Sequence, residues 1–235
     1  MRIVVLTGAG VSAESGVPTF RDADGLWEGH RVEDVATPEA FEMQPGVVQR
    51  FYDERRAALA LVAPNPAHTA LARLGTLPGV DLLLVTQNID DLHERAGATD
   101  VLHMHGELLS ALCASCRSRC RWAGDLADFP PCPGCGMTDL RPDVVWFGEI
   151  PYQMERIQSA LMRADVFVSI GTSGAVYPAA GFVQMAAACG ARTLELNLVP
   201  SEGTSFFDEA RHGPAGRLVP DWVDEVAASL GVDTR

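Results

Sequence analysis

The chain has 235 residues, 47% hydrophobic and 21% charged, which suits one large domain, or one domain with a small appended module, around a real core. Lys and Arg number 18 against 31 Asp and Glu, a formal net charge of −13; such an acidic surface repels nucleic-acid phosphates and anionic membranes and mildly attracts basic protein segments. No apolar run approaches the roughly 20 residues that span a bilayer, and the opening run at 3–6 is too short for a secretory signal, so the expectation is a cytoplasmic protein with neither membrane nor direct nucleic-acid partners.

Uninterrupted apolar runs at 3–6, 80–85, 166–170 and 193–196 are rich in Val, Ile and Leu and bounded by turn residues. They predict strands buried on both faces of a parallel sheet. Residues 46–62 carry Val47, Phe51, Leu59 and Val62 amid charges, and 66–74 and 151–164 follow the same pattern; all three predict helices. Residues 178–189, mostly small and apolar, predict a buried helix, and 221–230 a short amphipathic one. The alternation indicates an α/β fold with a Rossmann-like doubly wound parallel sheet. Two stretches break the rhythm. Residues 28–66 hold no strong strand, and 107–143 hold most of the cysteines among prolines and glycines. Both read as insertions that together form a smaller domain, leaving 1–27, 67–106 and 144–235 as a discontinuous sheet domain.

Directly after the first strand comes Gly8-Ala9-Gly10-Val11-Ser12-Ala13. It fits G-x-G-x-x-G/A, in which glycines let the backbone approach a pyrophosphate at a helix N-terminus. The same residues could serve only as a tight strand-to-helix turn. A dehydrogenase would place Asp or Glu at the end of a second strand about 20 residues on. Here that region reads Thr19-Phe20-Arg21-Asp22, in a loop with no strand before it. The pattern therefore points to a dinucleotide, bound otherwise than for hydride transfer.

Four of the six cysteines form two pairs, Cys113-x-x-Cys116 and Cys132-x-x-Cys135, separated by fifteen residues. In a chain with no export signal such pairs indicate metal rather than disulfides. Two knuckles of this size place four thiolates around one zinc ion, and with every position taken by cysteine the metal is structural. Cys120 is an alternative ligand. Arg117, Arg119 and Arg121 read as a solvated face.

After the run 80–85 comes Thr86-Gln87-Asn88-Ile89-Asp90-Asp91. Polar groups at the C-terminal end of a parallel strand face the ligand crevice; capping of a helix by Asn88 or Asp90 is an equal alternative. In Leu102-His103-Met104-His105-Gly106, the histidines could be strand residues, a metal pair or one general base. In Phe51-Tyr52-Asp53-Glu54-Arg55-Arg56, a helix would set Tyr52 and Arg55 on one face. A phenol beside a guanidinium can hold a carboxylate; alternatively Tyr52 is core and Arg55 is solvated.

In order along the chain, Gly8-Ala9-Gly10-Val11-Ser12, Pro18-Thr19-Phe20-Arg21, Gln87-Asn88-Ile89-Asp90, His105-Gly106, the four cysteines, Phe147-Gly148-Glu149 and Gly171-Thr172-Ser173 resemble the sirtuin signature set. The resemblance covers nearly the whole chain and is nearest to bacterial members similar to the mitochondrial desuccinylase of animals. It implies NAD-dependent removal of acyl groups from protein lysines by a monomer with one structural zinc ion, giving nicotinamide and O-acyl-ADP-ribose. It also implies NAD contacts from Gly8, Ala9, Gly10, Ala13 and Glu14, and from a loop holding Thr19, Phe20, Arg21 and Trp27. Gln87, Asn88, Ile89 and Asp90 would line the nicotinamide side. Gly171, Thr172, Ser173, Asn197, Leu198, Val199 and Ala215 would line the adenosine side. His105 would be the general base, with His103 structural on the opposite strand face. Tyr52 and Arg55 would grip succinyl or malonyl groups, with acetyl also accepted. An ADP-ribosyltransferase sharing the NAD site and a non-catalytic NAD sensor are the competing readings; a base accompanied by Asn88 and Asp90 speaks against the sensor.

Overall fold

A computed structural model describes residues 1–19 and 30–232. In chain order the first elements are β1 (Arg2–Thr7), α1 (Gly10–Ala13), α2 (Val32–Val35), α3 (Pro38–Met43), α4 (Pro45–Leu59) and α5 (Pro66–Leu74). Then follow β2 (Asp81–Thr86), α6 (Leu92–Arg95), β3 (Val101–His103), β4 (Gly106–Cys113), β5 (Arg119–Arg121) and β6 (Leu140–Val144). The chain continues through α7 (Met154–Leu161), β7 (Val166–Ile170), α8 (Phe182–Ala188), β8 (Arg192–Asn197), β9 (Glu209–His212) and α9 (Ala215–Ser229).

Six strands pair in parallel in the order β3-β2-β1-β7-β8-β9. This is the doubly wound Rossmann order, with its switch point between β1 and β7. The sheet is covered on both faces, which is why its strands read as continuous apolar runs. Ile3 and Val5 of β1 pack with α5 and α9, whereas Val4 and Leu6 pack with α7 and α8. A second, antiparallel sheet of order β5-β4-β6 carries the cysteine pairs and shares a core with α4 through Leu108, Val144 and Trp146.

The expected strands and the helices at 46–62 and 66–74 are present with small shifts at their ends. Three expectations need correction. The helix at 178–189 is a 3₁₀ turn followed by α8, and its C-terminal residues are exposed rather than buried. The last helix begins at Ala215, six residues before the expected start, and carries Pro220 inside it. A proline inside a helix removes the hydrogen bond to the carbonyl four residues back, here that of Gly216. Finally, β3 ends at His103, so His105 lies in the β3–β4 turn; on a common strand two residues so spaced would in any case share one face, not opposite ones.

Candidate active site

The turns following β1, β2, β3, β7 and β8 converge at the C-terminal edge of the large sheet, where open α/β sheets bind ligands. Glycine is required here by backbone-on-backbone packing. A Cβ on Gly8 would stand 2.8 Å from the Gly171 carbonyl oxygen, and one on Gly10 would stand 2.7 Å from the Gly171 Cα. Gly171, at φ +62°, would push a Cβ to 2.4 Å from the Val11 nitrogen. The Gly8 and Gly10 N–H groups donate to the Ile170 and Gly171 carbonyls at 3.0 and 2.8 Å. These two glycines thus bring the β1 and β7 turns together.

Gln87 joins the two sides of the crevice. Its amide donates to Thr172 Oγ1 at 3.0 Å, and its carbonyl receives His105 Nδ1 at 3.1 Å. A carbonyl only accepts, so Nδ1 of His105 carries the proton and Nε2 keeps its lone pair. Burial lowers the His105 pKa below the ordinary histidine value, partly opposed by the Gln87 carbonyl. Gly106 makes the turn possible: its φ is +85°, and a Cβ there would lie 2.0 Å from the Asp143 carbonyl oxygen. His103 is engaged elsewhere, by the Asn88 carbonyl at 3.1 Å and Glu94 Oε1 at 2.7 Å. Burial lowers its pKa, but the Glu94 carboxylate and the Asn88 carbonyl together raise it more.

Asn88 and Asp90 are nearly buried and share Ser12. Asn88 Nδ2 donates to the Gly8 carbonyl and Ser12 Oγ, both at 3.2 Å. Ser12 Oγ donates to Asp90 Oδ2 at 3.0 Å, and Leu92 N–H donates to Asp90 Oδ1 at 3.1 Å. Burial raises the Asp90 pKa against those two donors. Behind Ser12 lies a polar network that sequence reasoning missed. His68 Nε2 approaches Ser12 Oγ at 3.3 Å, His93 Nε2 approaches Thr7 Oγ1 at 3.0 Å, and the two imidazole rings meet edge to face. Its members come from positions up to 86 residues apart, and no local pattern marks them. Only Ser12, inside the glycine-rich turn, carried a signal.

On the far side, Asn197 donates to the Thr172 carbonyl at 2.9 Å and accepts from Leu198 N–H at 3.0 Å. Leu198 and Val199 are exposed beside it. The Ser173 hydroxyl accepts from Ala175 N–H at 3.3 Å. Glu14 accepts from Gly216 N–H at 2.9 Å, next to Ala215, so its carboxylate sits at the positive start of α9. Ala13 is exposed, and Thr19 lies at the edge of the described chain. Phe20, Arg21 and Trp27 lie outside the described residues. Ile89 packs against the core of the helical insertion.

Tyr52 and Arg55 both lie on α4 and both are buried, so Arg55 is not solvated. Trp146 Nε1 donates to Tyr52 Oη at 3.0 Å, and burial raises the phenol pKa beyond its ordinary range. Arg55 stands over the Phe51 ring, 3.2 Å from its centroid, and donates to the Phe51 carbonyl at 2.6 Å. Glu149 clamps Arg141 through two 2.9 Å bonds, and Arg141 lies over the Trp146 ring.

The four cysteine sulfurs lie within 4.8 Å of one another, with Cys113–Cys135 at 3.7 Å and Cys116–Cys132 at 3.8 Å. A tetrahedral zinc site with bonds of about 2.3 Å separates its sulfurs by about 3.8 Å, so this set fits zinc. The Ser118 hydroxyl and Gly134 N–H lower the Cys132 thiol pKa, toward the thiolate that a metal binds, while burial and the neighbouring cysteines raise that of Cys135. Cys120 stands outside the cluster, near the Ala111 carbonyl.

The sequence pattern of the Sir2 family matches residues 8–178. An NAD-dependent protein deacylase of Pasteurella multocida (strain Pm70) is 56% identical over 226 residues, covering 95% of this chain and 97% of its own. Another of Salmonella typhimurium (strain LT2) is 55% identical over 232 residues, covering 97% of this chain and 85% of its own. A mutant Sir2 homologue solved with ADP-ribose matches at TM-score 0.91 and 39% identity, over 100% of this chain and 95% of that one. A Sir2 homologue–NAD complex matches at 0.86 and 41%, over 97% and 90%. A Sir2 protein bound to an acetylated peptide matches at 0.81 and 26%, over 98% and 94%. Likeness of this extent, running from the glycine turn through both sides of the crevice, places the chain in the Sir2 family, the sirtuins.

Proposed function

We propose that the protein is an NAD-dependent protein-lysine deacylase that favours acidic acyl groups, succinyl or malonyl, over acetyl, and works as a monomer. The observation that carries the reading is His105, tied through Nδ1 to the Gln87 carbonyl at the edge of the crevice. The names of the relatives and the NAD, ADP-ribose and acetyl-peptide complexes of the structural neighbours support it.

NAD, when bound, supplies a ribose carbon that can be attacked once nicotinamide leaves, and a ribose hydroxyl that becomes the acyl acceptor. The chain's residues do the rest. Gly8, Ala9, Gly10, Ala13, Glu14, Thr172, Ser173, Asn197, Leu198, Val199 and Ala215 border the dinucleotide on the switch-point side. Asn88 and Asp90, locked by Ser12, shape the nicotinamide end with Gln87 and Ile89. His105 Nε2 takes the proton of the ribose hydroxyl, which needs a neutral imidazole. By family resemblance Thr19, Phe20, Arg21 and Trp27 would also contact NAD; the last three lie outside the described residues. With one water consumed, the products would be free lysine, nicotinamide and O-acyl-ADP-ribose. Cys113, Cys116, Cys132 and Cys135 hold one structural zinc ion, with no open position for chemistry. The division into 1–27, 67–106 and 144–235 against 28–66 and 107–143 is supported by the separation of the parallel sheet from the antiparallel one.

Tyr52 and Arg55 carry the acyl preference, supported by their joint burial on one helix. A hydrogen bond to a charged group is worth about 1.5–3 kcal/mol, or roughly 10- to 150-fold in kcat/KM. The test compares succinyl- and acetyl-peptide kinetics for wild type and Arg55→Met. The succinyl advantage should shrink by that factor; an equal loss on both substrates rejects the preference.

A further inference from the structure

Helix α4 carries two adjoining stripes. Tyr52 and Arg55 lie on one. Gln49, Asp53 and Arg56, spaced by four and three residues, form the other, which meets the cysteine-bearing lobe. Gln49 Nε2 donates to the Leu140 carbonyl at 2.7 Å. The Asp53 carboxylate accepts from Leu126 N–H at 3.0 Å, Ala127 N–H at 2.9 Å and Arg56 Nη1 at 2.6 Å. Arg56 also donates to the Leu108 carbonyl at 3.0 Å and the Gly124 carbonyl at 3.2 Å. The Arg56 and Asp53 side chains are only 2% and 9% exposed.

Three of the five backbone partners fall in one segment. Gly124, Leu126 and Ala127 all lie between Cys116 and Cys132, the inner members of the two cysteine pairs. Leu126 itself is in the small core with Cys113 and Cys132. The segment bracketed by the knuckles is therefore tied to the residues flanking Tyr52 and Arg55. Burying an ion pair carries a desolvation cost that an apolar contact of the same volume avoids, and fixed register is a use for which such pairs are retained. A slip of one residue along a helix moves a side chain by about 1.5 Å and turns it by about 100°. A bidentate grip on a carboxylate does not survive that displacement.

We propose that Asp53, Arg56 and Gln49 are specificity-positioning residues. They hold α4 in the register on the cysteine lobe that lets Tyr52 and Arg55 grip an acyl carboxylate, so that selectivity for acidic acyl groups depends on a lobe remote from the base. The proposal rests on the carboxylate reading of Tyr52 and Arg55.

The experiment measures kcat and KM on succinyl- and acetyl-lysine forms of one peptide at saturating NAD. It uses wild type, Arg55→Met, Asp53→Asn, Arg56→Lys and Gln49→Met, with thermal midpoint and zinc per chain measured on each. Asp53→Asn and Arg56→Lys should lower the succinyl-to-acetyl kcat/KM ratio by about 3- to 10-fold, through succinyl KM, with acetyl kcat unchanged. Gln49→Met leaves the ion pair intact and should lower the ratio by a smaller factor; it decides the matter alone if the other two do not fold. A parallel fall on both substrates that tracks the thermal midpoint overturns the proposal. So does an unchanged ratio in these variants while Arg55→Met lowers it, which leaves the carboxylate reading standing. An unchanged ratio in Arg55→Met overturns both.

Discussion

His105 stands half-buried at the edge of the crevice with one ring nitrogen left available. One nitrogen is committed to the Gln87 carbonyl, and burial favours the neutral ring. Because its pKa is lowered, the neutral form persists below the usual histidine range. The acidic limb of the kcat/KM profile should therefore have its midpoint below 6.5, measured on an acyl peptide at saturating NAD. A midpoint above that value would assign the limb to another group. His105 was singled out by the motifs around it in the sequence, whereas His68 and His93 were not, because their partners Ser12 and Thr7 lie on other elements. That Tyr52 and Arg55 share one helix was legible from the spacing, but Trp146, which holds the phenol, is distant in sequence and gave no warning.

At the scale of elements, Asn65 ties the start of α5 to the glycine-rich turn. Its Oδ1 accepts from Ala67 N–H at 2.9 Å, and its Nδ2 donates to the Val11 carbonyl at 2.8 Å and Ser15 Oγ at 3.0 Å. Loss of a helix cap costs about 0.5–2 kcal/mol. Asn65→Ala should cost at least that in urea unfolding, and should also raise KM for NAD because the turn loses its support. A change in stability with NAD kinetics intact would detach α5 from the site. Elements with a continuous apolar pattern were predictable; those set by pairing were not. β3 has three residues, β6 contains Pro142, and β4 shifts register between Glu107 and Ala111, so none shows a clean alternation. The first six residues of α9 were hidden by Gly216 and Pro220, two residues that usually argue against a helix interior.

At the scale of the molecule, acid stability and metal content follow from the same packing. His68 and His93 are buried neutral, their pKa values lowered to about 4 and about 3 by burial. Unfolded, both would titrate near 6.5 and bind more protons than the folded chain, so stability falls as pH drops from 6.5 toward those values, by on the order of 3 kcal/mol or more. His103 acts with the opposite sign, since Glu94 and the Asn88 carbonyl outweigh burial: its contribution is full below 6.5 and is lost as pH rises through its raised pKa. Denaturant midpoints between pH 7 and 4 should show the loss, and His68→Asn with His93→Asn should flatten it. Chelation at neutral pH should release one zinc per chain and lower the thermal midpoint, each kcal/mol lost being worth about 2–4 °C; an unchanged midpoint would separate the cysteine lobe from the fold's stability. Among the described residues no helix is long and apolar enough to cross a membrane. The central claim is that an imidazole and a dinucleotide meet at the switch point to take an acyl group from lysine. Mass spectrometry of a succinyl-lysine peptide incubated with the protein, with and without NAD, tests it directly. The account predicts loss of the succinyl mass only with NAD, with one nicotinamide released per turnover, slowed about 10²- to 10⁴-fold in His105→Asn. Succinyl loss without NAD, or an ADP-ribose mass gained on protein instead, would contradict it.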